Sequence, residues 1–182
     1  MICARRYAVV PAAGAGARFG GAQPKQYERI GGRPMLEHTV RALGSCAGIS
    51  CVFVVLAPGD DRYAECSWAG LTSAVEPLYC GGPTRASTVF NALMALHDTV
   101  DDADWMLVHD AARPCVSQEE LQRLCDALDA DAVGGLLAVP VADTLKRSDA
   151  ESRVVATAPR EGLWRALTPQ MFRYRLLVEA LH

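Results

Sequence analysis

The sequence predicts one α/β domain: a mostly parallel central sheet flanked by helices, with a β-arm protruding from it. Two observations predict the sheet and its helices. Short apolar runs alternate with segments of helical periodicity, and no repeat or low-complexity linker divides the chain. A third predicts the arm: from about 140 to 163 the rhythm breaks into polar–apolar alternation around a cluster of turn residues.

The elements follow in order. Tyr7–Val10 is an apolar run that reads as a buried strand, and it opens onto a glycine-rich loop. After Pro34, Leu36, Val40 and Leu43 stand at helical spacing until Gly44 stops the pattern. Cys51–Leu56 is β-branched and closed by Pro58-Gly59, and Ala74–Tyr79 is a weaker strand ending at Gly81-Gly82. Pro83 suits the first turn of a helix that carries Val89, Leu93 and Leu96 on one face. Trp105–Val108 is a strand ending at His109-Asp110. Ser117 and Glu120 make a capping box for a helix with Leu121, Leu124, Cys125 and Leu128 inward, and Ala132–Val139 is one more apolar strand. Pro140 to Leu163 then reads as a hairpin turning at Ser148–Ser152, too polar for a core; an arm packed on another subunit explains it. A helical run begins at Leu176.

Composition excludes several classes. The 182 residues, about half of them apolar, suffice for one globular domain and are too apolar for disorder. The net charge of −3 argues against a nucleic-acid binder. No apolar run approaches the roughly 18 residues of a membrane helix, so no membrane role is expected. Arg5-Arg6 imitates an export signal, but Pro11 and the glycines after it break the apolar stretch, which favours a cytoplasmic protein. Seven cysteines, without a C-x-x-C pair or a histidine at metal-ligand spacing, read as buried or reduced thiols.

The loop "VVPAAGAGARFGGAQPKQY" carries the first functional signal. Gly14, Gly16 and Gly20 imitate a dinucleotide fingerprint, but Gly20-Gly21 and Pro24 come too soon for the helix that fingerprint needs. A phosphate-binding Walker loop needs Lys directly after its last glycine, and here Ala22 follows Gly21. What remains is an irregular loop with backbone N–H groups and two cations, Arg18 and Lys25, suited to a triphosphate; a surface loop with solvated charges fits it equally well. In "LVHDAARP", Asp110 lies at the carboxyl edge of a strand, where open α/β sheets bind ligands, and is a natural Mg²⁺ ligand. Arg113 would hold that aspartate or a phosphate; alone, Asp110 also suits a turn or a helix cap. In "GGPTRAST" the glycines permit close backbone approach to a flat group, and Arg85 and Thr88 share a helix face.

Together these segments, with "GGRPMLEHTV", "PVADTLKR" and "REGLWRALTPQMFRY", resemble the 2-C-methyl-D-erythritol 4-phosphate cytidylyltransferase family over nearly the whole chain. Pro11-Ala12-Ala13-Gly14 favours this branch over the related ribitol phosphate enzymes. The resemblance implies a Rossmann-like nucleotidyltransferase fold. It implies a reaction in which CTP and methylerythritol phosphate give a cytidine-diphospho sugar alcohol and pyrophosphate, on the non-mevalonate route to isoprenoids. By the same resemblance Arg18 and Lys25 stabilise the transition state, and Asp110 holds Mg²⁺ on the triphosphate. Ala12, Ala13 and Gly14 offer backbone contacts, and Gly82 and Thr88 meet the cytosine. Thr144, Arg160 and Thr168 hold the sugar-alcohol phosphate, with Arg113 nearby, and because Thr144 and Arg160 lie on the arm a homodimer would complete each site.

Two departures bear on these expectations. The family usually has Asp before the hydroxyl residue at 88, and here it is Ser87. Family members also continue past the position of His182 into a segment whose Lys grips the substrate phosphate, so a truncated product or a fragment of a longer protein is expected. Beside the active enzyme stand two alternatives: a nucleotide-binding remnant with little activity, and a cytidylyltransferase for a related sugar-alcohol phosphate such as ribitol 5-phosphate. A nicotinamide-dependent oxidoreductase is disfavoured by Gly20, Gly21 and Pro24.

Overall fold

The computed structural model describes residues 4–14 and 23–182. Expectations that fall on Gly16, Arg18, Gly20 and Gly21 lie outside the described residues. The first apolar run forms β1 (Arg6–Pro11), and a short hairpin of β2 (Arg29–Ile30) and β3 (Arg33–Pro34) leads into α1 (Met35–Gly44). Then come β4 (Ile49–Val55), β5 (Ala74–Leu78), α2 (Arg85–Ala95), β6 (Trp105–Val108), α3 (Gln118–Leu128) and β7 (Gly134–Pro140). The arm is β8 (Leu145–Ser148) paired antiparallel with β9 (Val154–Ala158), and the chain ends with β10 (Trp164–Arg173) and α4 (Tyr174–Leu181).

The six-stranded sheet has the order β5-β4-β1-β6-β10-β7. β5, β4, β1 and β6 run parallel, which requires a crossover segment between successive strands. β10 is antiparallel to both its neighbours, β6 and β7. The sequence pattern predicts no strand there: the stretch holds Pro169 and three arginines or glutamines, and proline is rare inside sheets. The pairing explains its tolerance, because the β10–β7 register breaks between Ala166 and Gln170, so Pro169 sits where no ladder partner is demanded.

Both faces of the sheet are covered. β1 alternates strictly: Ala8 and Val10 pack with Leu36, Val40 and Leu43 of α1 and Leu121 and Leu124 of α3. Tyr7 and Val9 face the other way, onto Val89 and Leu93 of α2, with Tyr174, Leu177 and Val178 of α4 beside them. The helical faces read from sequence are therefore core faces. Pro83 does not enter the first turn of α2; Thr84 is the N-cap and Pro83 precedes it. The last strand before the arm starts at Gly134, two residues later than its apolar run suggests, because Asp131 holds the N–H groups of Val133 and Gly134 in a turn.

The arm forms as its alternation predicts. Along β8 and β9 only Leu145 and Ala158 are even half-buried, and Val154 and Val155 are 64% and 58% exposed. Leu163 and Trp164 at its base are exposed as well, 43% and 61%.

Candidate active site

The carboxyl ends of β1 and β6 open onto a cavity of about 350 Å³. It is lined by Pro11–Gly14, Lys25, Gln26, Gly82–Arg85, Thr88 and Asp110–Ala112. Three segments far apart in sequence meet there, at the edge where parallel sheets bind ligands.

The end of β4 organises two of them. The Val55 carbonyl accepts the Ala12 N–H at 2.8 Å, and the Leu56 carbonyl accepts the Gly81 N–H at 2.8 Å. The glycine loop of β1 and the double-glycine loop after β5 are thereby drawn together. Gly81 is the point of contact: a Cβ there would lie 2.1 Å from the Ala13 Cβ and 2.7 Å from the Leu56 carbonyl oxygen. Only glycine allows that approach.

α2 holds the second loop from below. The Thr88 hydroxyl bridges the two backbone groups of Gly82, accepting its N–H at 3.0 Å and donating to its carbonyl at 3.2 Å. Asn91 donates to the Cys80 carbonyl at 2.8 Å. Thr88 is buried and its hydroxyl is already engaged, so it shapes the Gly82 backbone that faces the cavity. A Cβ on Gly82 would lie 2.5 Å from the Ser87 Oγ, which ties this glycine to close packing on the helix start.

Asp110 is the carboxylate of the cavity, and both its oxygens are held. Arg85 Nε donates to Oδ1 at 2.7 Å and Arg113 Nε to Oδ2 at 2.9 Å. The Asp110 N–H meets the Thr168 hydroxyl at 3.4 Å. The segment is braced from beneath by Thr39 of α1, which donates to the Ala111 carbonyl at 2.8 Å. His109 is buried and its Nε2 donates to the Arg113 carbonyl at 2.9 Å, while burial holds the imidazole below its ordinary pKa and therefore neutral near pH 7.

Arg113 and Thr168 line a second hollow of about 370 Å³ beside the first, with His109, Cys115, Leu137 and Leu167. Thr144 and Arg160 line neither. They sit together at the base of the arm in a separate hollow with Thr157 and Glu161, where Arg160 donates to the Ala142 carbonyl. So Ala12, Ala13, Gly14, Lys25, Gly82, Thr88 and Asp110 converge in one cavity, Arg113 and Thr168 adjoin it, and Arg18 lies outside the described residues. Sequence reasoning missed Gln26, Asn91 and the Arg85–Asp110 pair, since nothing in a linear pattern announces a contact between residues 25 positions apart.

An open α/β sheet whose strand ends gather two backbone loops, fixed cations and one carboxylate has the make-up of a nucleotidyltransferase. The chain belongs to the 2-C-methyl-D-erythritol 4-phosphate cytidylyltransferase family, whose model matches residues 7–182. The enzyme of that name from Dechloromonas aromatica is 57% identical over 177 residues, 97% of this chain and 78% of the relative. The one from Nitrosospira multiformis is 54% identical, over 96% of this chain and 76% of its own length. Among solved structures, that of a 4-diphosphocytidyl-2C-methyl-D-erythritol synthase superposes with a TM-score of 0.84 at 39% identity, covering 97% of this chain and 79% of the other. The cytidylyltransferase of the same name from Thermus thermophilus gives 0.70 at 32% identity, over 96% and 73%.

Proposed function

We propose that this chain carries out the reaction of its family in the cavity described above. The reaction is cytidylyl transfer from CTP to 2-C-methyl-D-erythritol 4-phosphate, in isoprenoid precursor biosynthesis. A phosphate oxygen of the acceptor attacks the α-phosphorus of CTP. The new O–P bond forms as the bond to the β-phosphate oxygen breaks, and pyrophosphate leaves with that electron pair. The observation that carries the reading is the convergence of Ala12–Gly14, Lys25, Gly82 and Asp110 in one cavity at the strand ends.

The cavity lining supports the following roles. Backbone N–H groups of the Ala12–Gly14 segment bind triphosphate oxygens, and Lys25, with Arg18 from the same loop, stabilises the charge that builds on the transferring group. The Gly82 backbone, fixed by Thr88, reads the flat edge of the cytosine. Arg113 and Thr168 line the adjoining hollow and receive the acceptor phosphate.

The donor set supports a Mg²⁺ ion: each Asp110 oxygen receives one arginine bond and keeps a second lone pair. Among the described residues no group of three His, Cys, Asp or Glu side chains is arranged to hold a metal. One carboxylate lining a phosphate cavity suits a cation that keeps water and phosphate as its other ligands. Asp110 would hold the ion, whose chemistry is to offset triphosphate charge.

The arm supports a homodimer. Its apolar surface at Val154, Val155, Leu163 and Trp164 is exposed in the single chain, and Thr144 and Arg160 lie away from their own chain's cavity. Pairing arms about a two-fold axis would bury the first and bring the second to the neighbour's acceptor. Use of CTP supports a cytoplasmic site of action. Among the described residues no helix is long and apolar enough to cross a membrane.

Release of pyrophosphate from Mg·CTP tests the reading. It should depend on 2-C-methyl-D-erythritol 4-phosphate and fall sharply with ATP, GTP or UTP. Faster release with ribitol 5-phosphate would move the acceptor assignment, and CTP binding without any release would leave a nucleotide-binding protein only.

A further inference from the structure

The wall of the cavity contains a buried amide that the reaction itself does not call for. Gln26 is only 7% exposed, and its Nε2 donates to the Ala12 carbonyl at 2.6 Å and to the Gly14 carbonyl at 3.0 Å. Both amide protons are thus committed to backbone carbonyls of the loop after β1. Because both partners are acceptors, the orientation of the amide is fixed as well.

Two consequences follow for the site. First, a trans peptide carries its C=O and N–H on opposite sides, so drawing the Ala12 carbonyl onto Gln26 turns the Ala13 N–H the other way. The Ala12 N–H is meanwhile held by Val55, so this residue is fixed from both ends. Second, Gln26 follows Lys25 in one short 3₁₀ turn, Lys25–Tyr27, whose other end is anchored by the Tyr27 hydroxyl on both oxygens of Asp60 at 2.9 Å. Gln26 therefore ties the turn that carries Lys25 directly to the Ala12–Gly14 backbone.

We propose that Gln26 is a positioning residue for phosphoryl transfer: it staples the Lys25 turn to the Ala12–Gly14 loop and so aims the ammonium at the phosphate held by that loop. The proposal rests on the reading that Lys25 stabilises the transferring group. Amide chemistry is required. Glutamate keeps the shape but offers two carbonyls no proton, leucine offers none, and asparagine is one methylene short of reaching both. Placement errors of about 1 Å at a reacting centre lower turnover on the order of 100-fold, so the staple acts on kcat through Lys25.

Pyrophosphate-release kinetics on the intact chain test this, with Gln26→Leu, Gln26→Glu, Lys25→Ala and the double variant Lys25→Ala/Gln26→Leu. Each Gln26 variant should lower kcat on the order of 10–100-fold. KM for CTP should stay within about 3-fold, and thermal unfolding should stay cooperative. In the double variant the Gln26 substitution should add less than about 3-fold to the Lys25→Ala loss, since it acts through that residue. Losses that multiply, or an unchanged kcat, overturn the proposal. Hydrogen exchange reads the staple apart from turnover: amides of residues 12–14 should exchange faster in either Gln26 variant while those of 8–10 do not. Unchanged exchange overturns the staple. Normal turnover in Lys25→Ala, with faster loop exchange in the Gln26 variants, sinks the role given to Lys25 and leaves the staple standing.

Discussion

Thr84 and Ser87 cap α2 reciprocally: the Thr84 Oγ1 accepts the Ser87 N–H at 3.0 Å, and the Ser87 Oγ accepts the Thr84 N–H at 2.9 Å. This gives Ser87 a role where the family resemblance leads to the expectation of an aspartate. The position is the third residue of the helix, where a side-chain acceptor is needed for the N-cap N–H, and a hydroxyl supplies it without charge. Ser87→Ala should therefore cost about 0.5–1 kcal/mol in urea unfolding, the net worth of one exposed hydrogen bond. Ser87→Asp should match or exceed the parent, because a carboxylate accepts the same bond and favours the helix N-terminus. Destabilisation by aspartate would mean the position serves something other than the cap.

Gly81 is where the two loops touch. Gly81→Ala places a methyl against Ala13 and the Leu56 carbonyl, neither of which can yield without moving a loop. Stability should drop by about 1–3 kcal/mol, as overpacking does. CTP affinity, followed by titration calorimetry on the folded fraction, should fall with it. An unchanged CTP affinity would detach the double-glycine loop from the nucleotide site.

Lys25→Ala should lower turnover by about 2–4 kcal/mol of barrier and leave CTP affinity nearly intact, because the cation acts most strongly in the transition state. Arg18→Ala should behave alike. Single-turnover kinetics and equilibrium CTP binding separate the two quantities. A loss confined to affinity would make these residues ground-state binders.

Asp110→Asn removes the charge and keeps the shape. Arg85 and Arg113 then lose their shared partner, yet both are about half exposed, so the fold should survive. CTP binding by the parent should weaken when Mg²⁺ is chelated, whereas binding by the variant should hardly respond. A variant that still gains affinity from Mg²⁺ places the ion elsewhere.

The arm makes a separate prediction. Val155→Asp with Trp164→Glu puts charge on the exposed apolar surface and should shift the protein to monomers in sedimentation velocity, with the core spectrum unaltered. Turnover should fall with dimer content. Full activity in a monomeric variant would remove the partner from the site.

Much of this molecule is legible in its sequence because the signals are periodic or local. Strict alternation in β1, the helical faces of α1 and α3, and the Ser117–Glu120 capping box each sit within one element. The site loops are legible as motifs for the same reason. β10 is not: its inner end is flanked by strands on both sides, its outer end pairs only with β7, and its burial follows no single period. The cap at Ser87 escapes a sequence reading because serine is not the glutamate or glutamine that usually signals it. Gln26 escapes it because its meaning lies in two carbonyls 14 and 12 residues earlier in the chain, which only folding brings near.

The break in β10 divides that strand into two lengths with different obligations. Trp164–Ala166 answers only to β7, while Gln170–Phe172 is locked between β6 and β7. A residue gained or lost on the outer length meets the gap, where Thr168 lies, before it meets the core. One inserted among Gln170–Phe172 would swap the faces of Met171 and Phe172 and turn the core-facing Met171, fully buried, to the wrong side. The outer length can thus shift against β7 without turning any core side chain, while the strand that carries Arg173 onto the Trp105 ring stays in place.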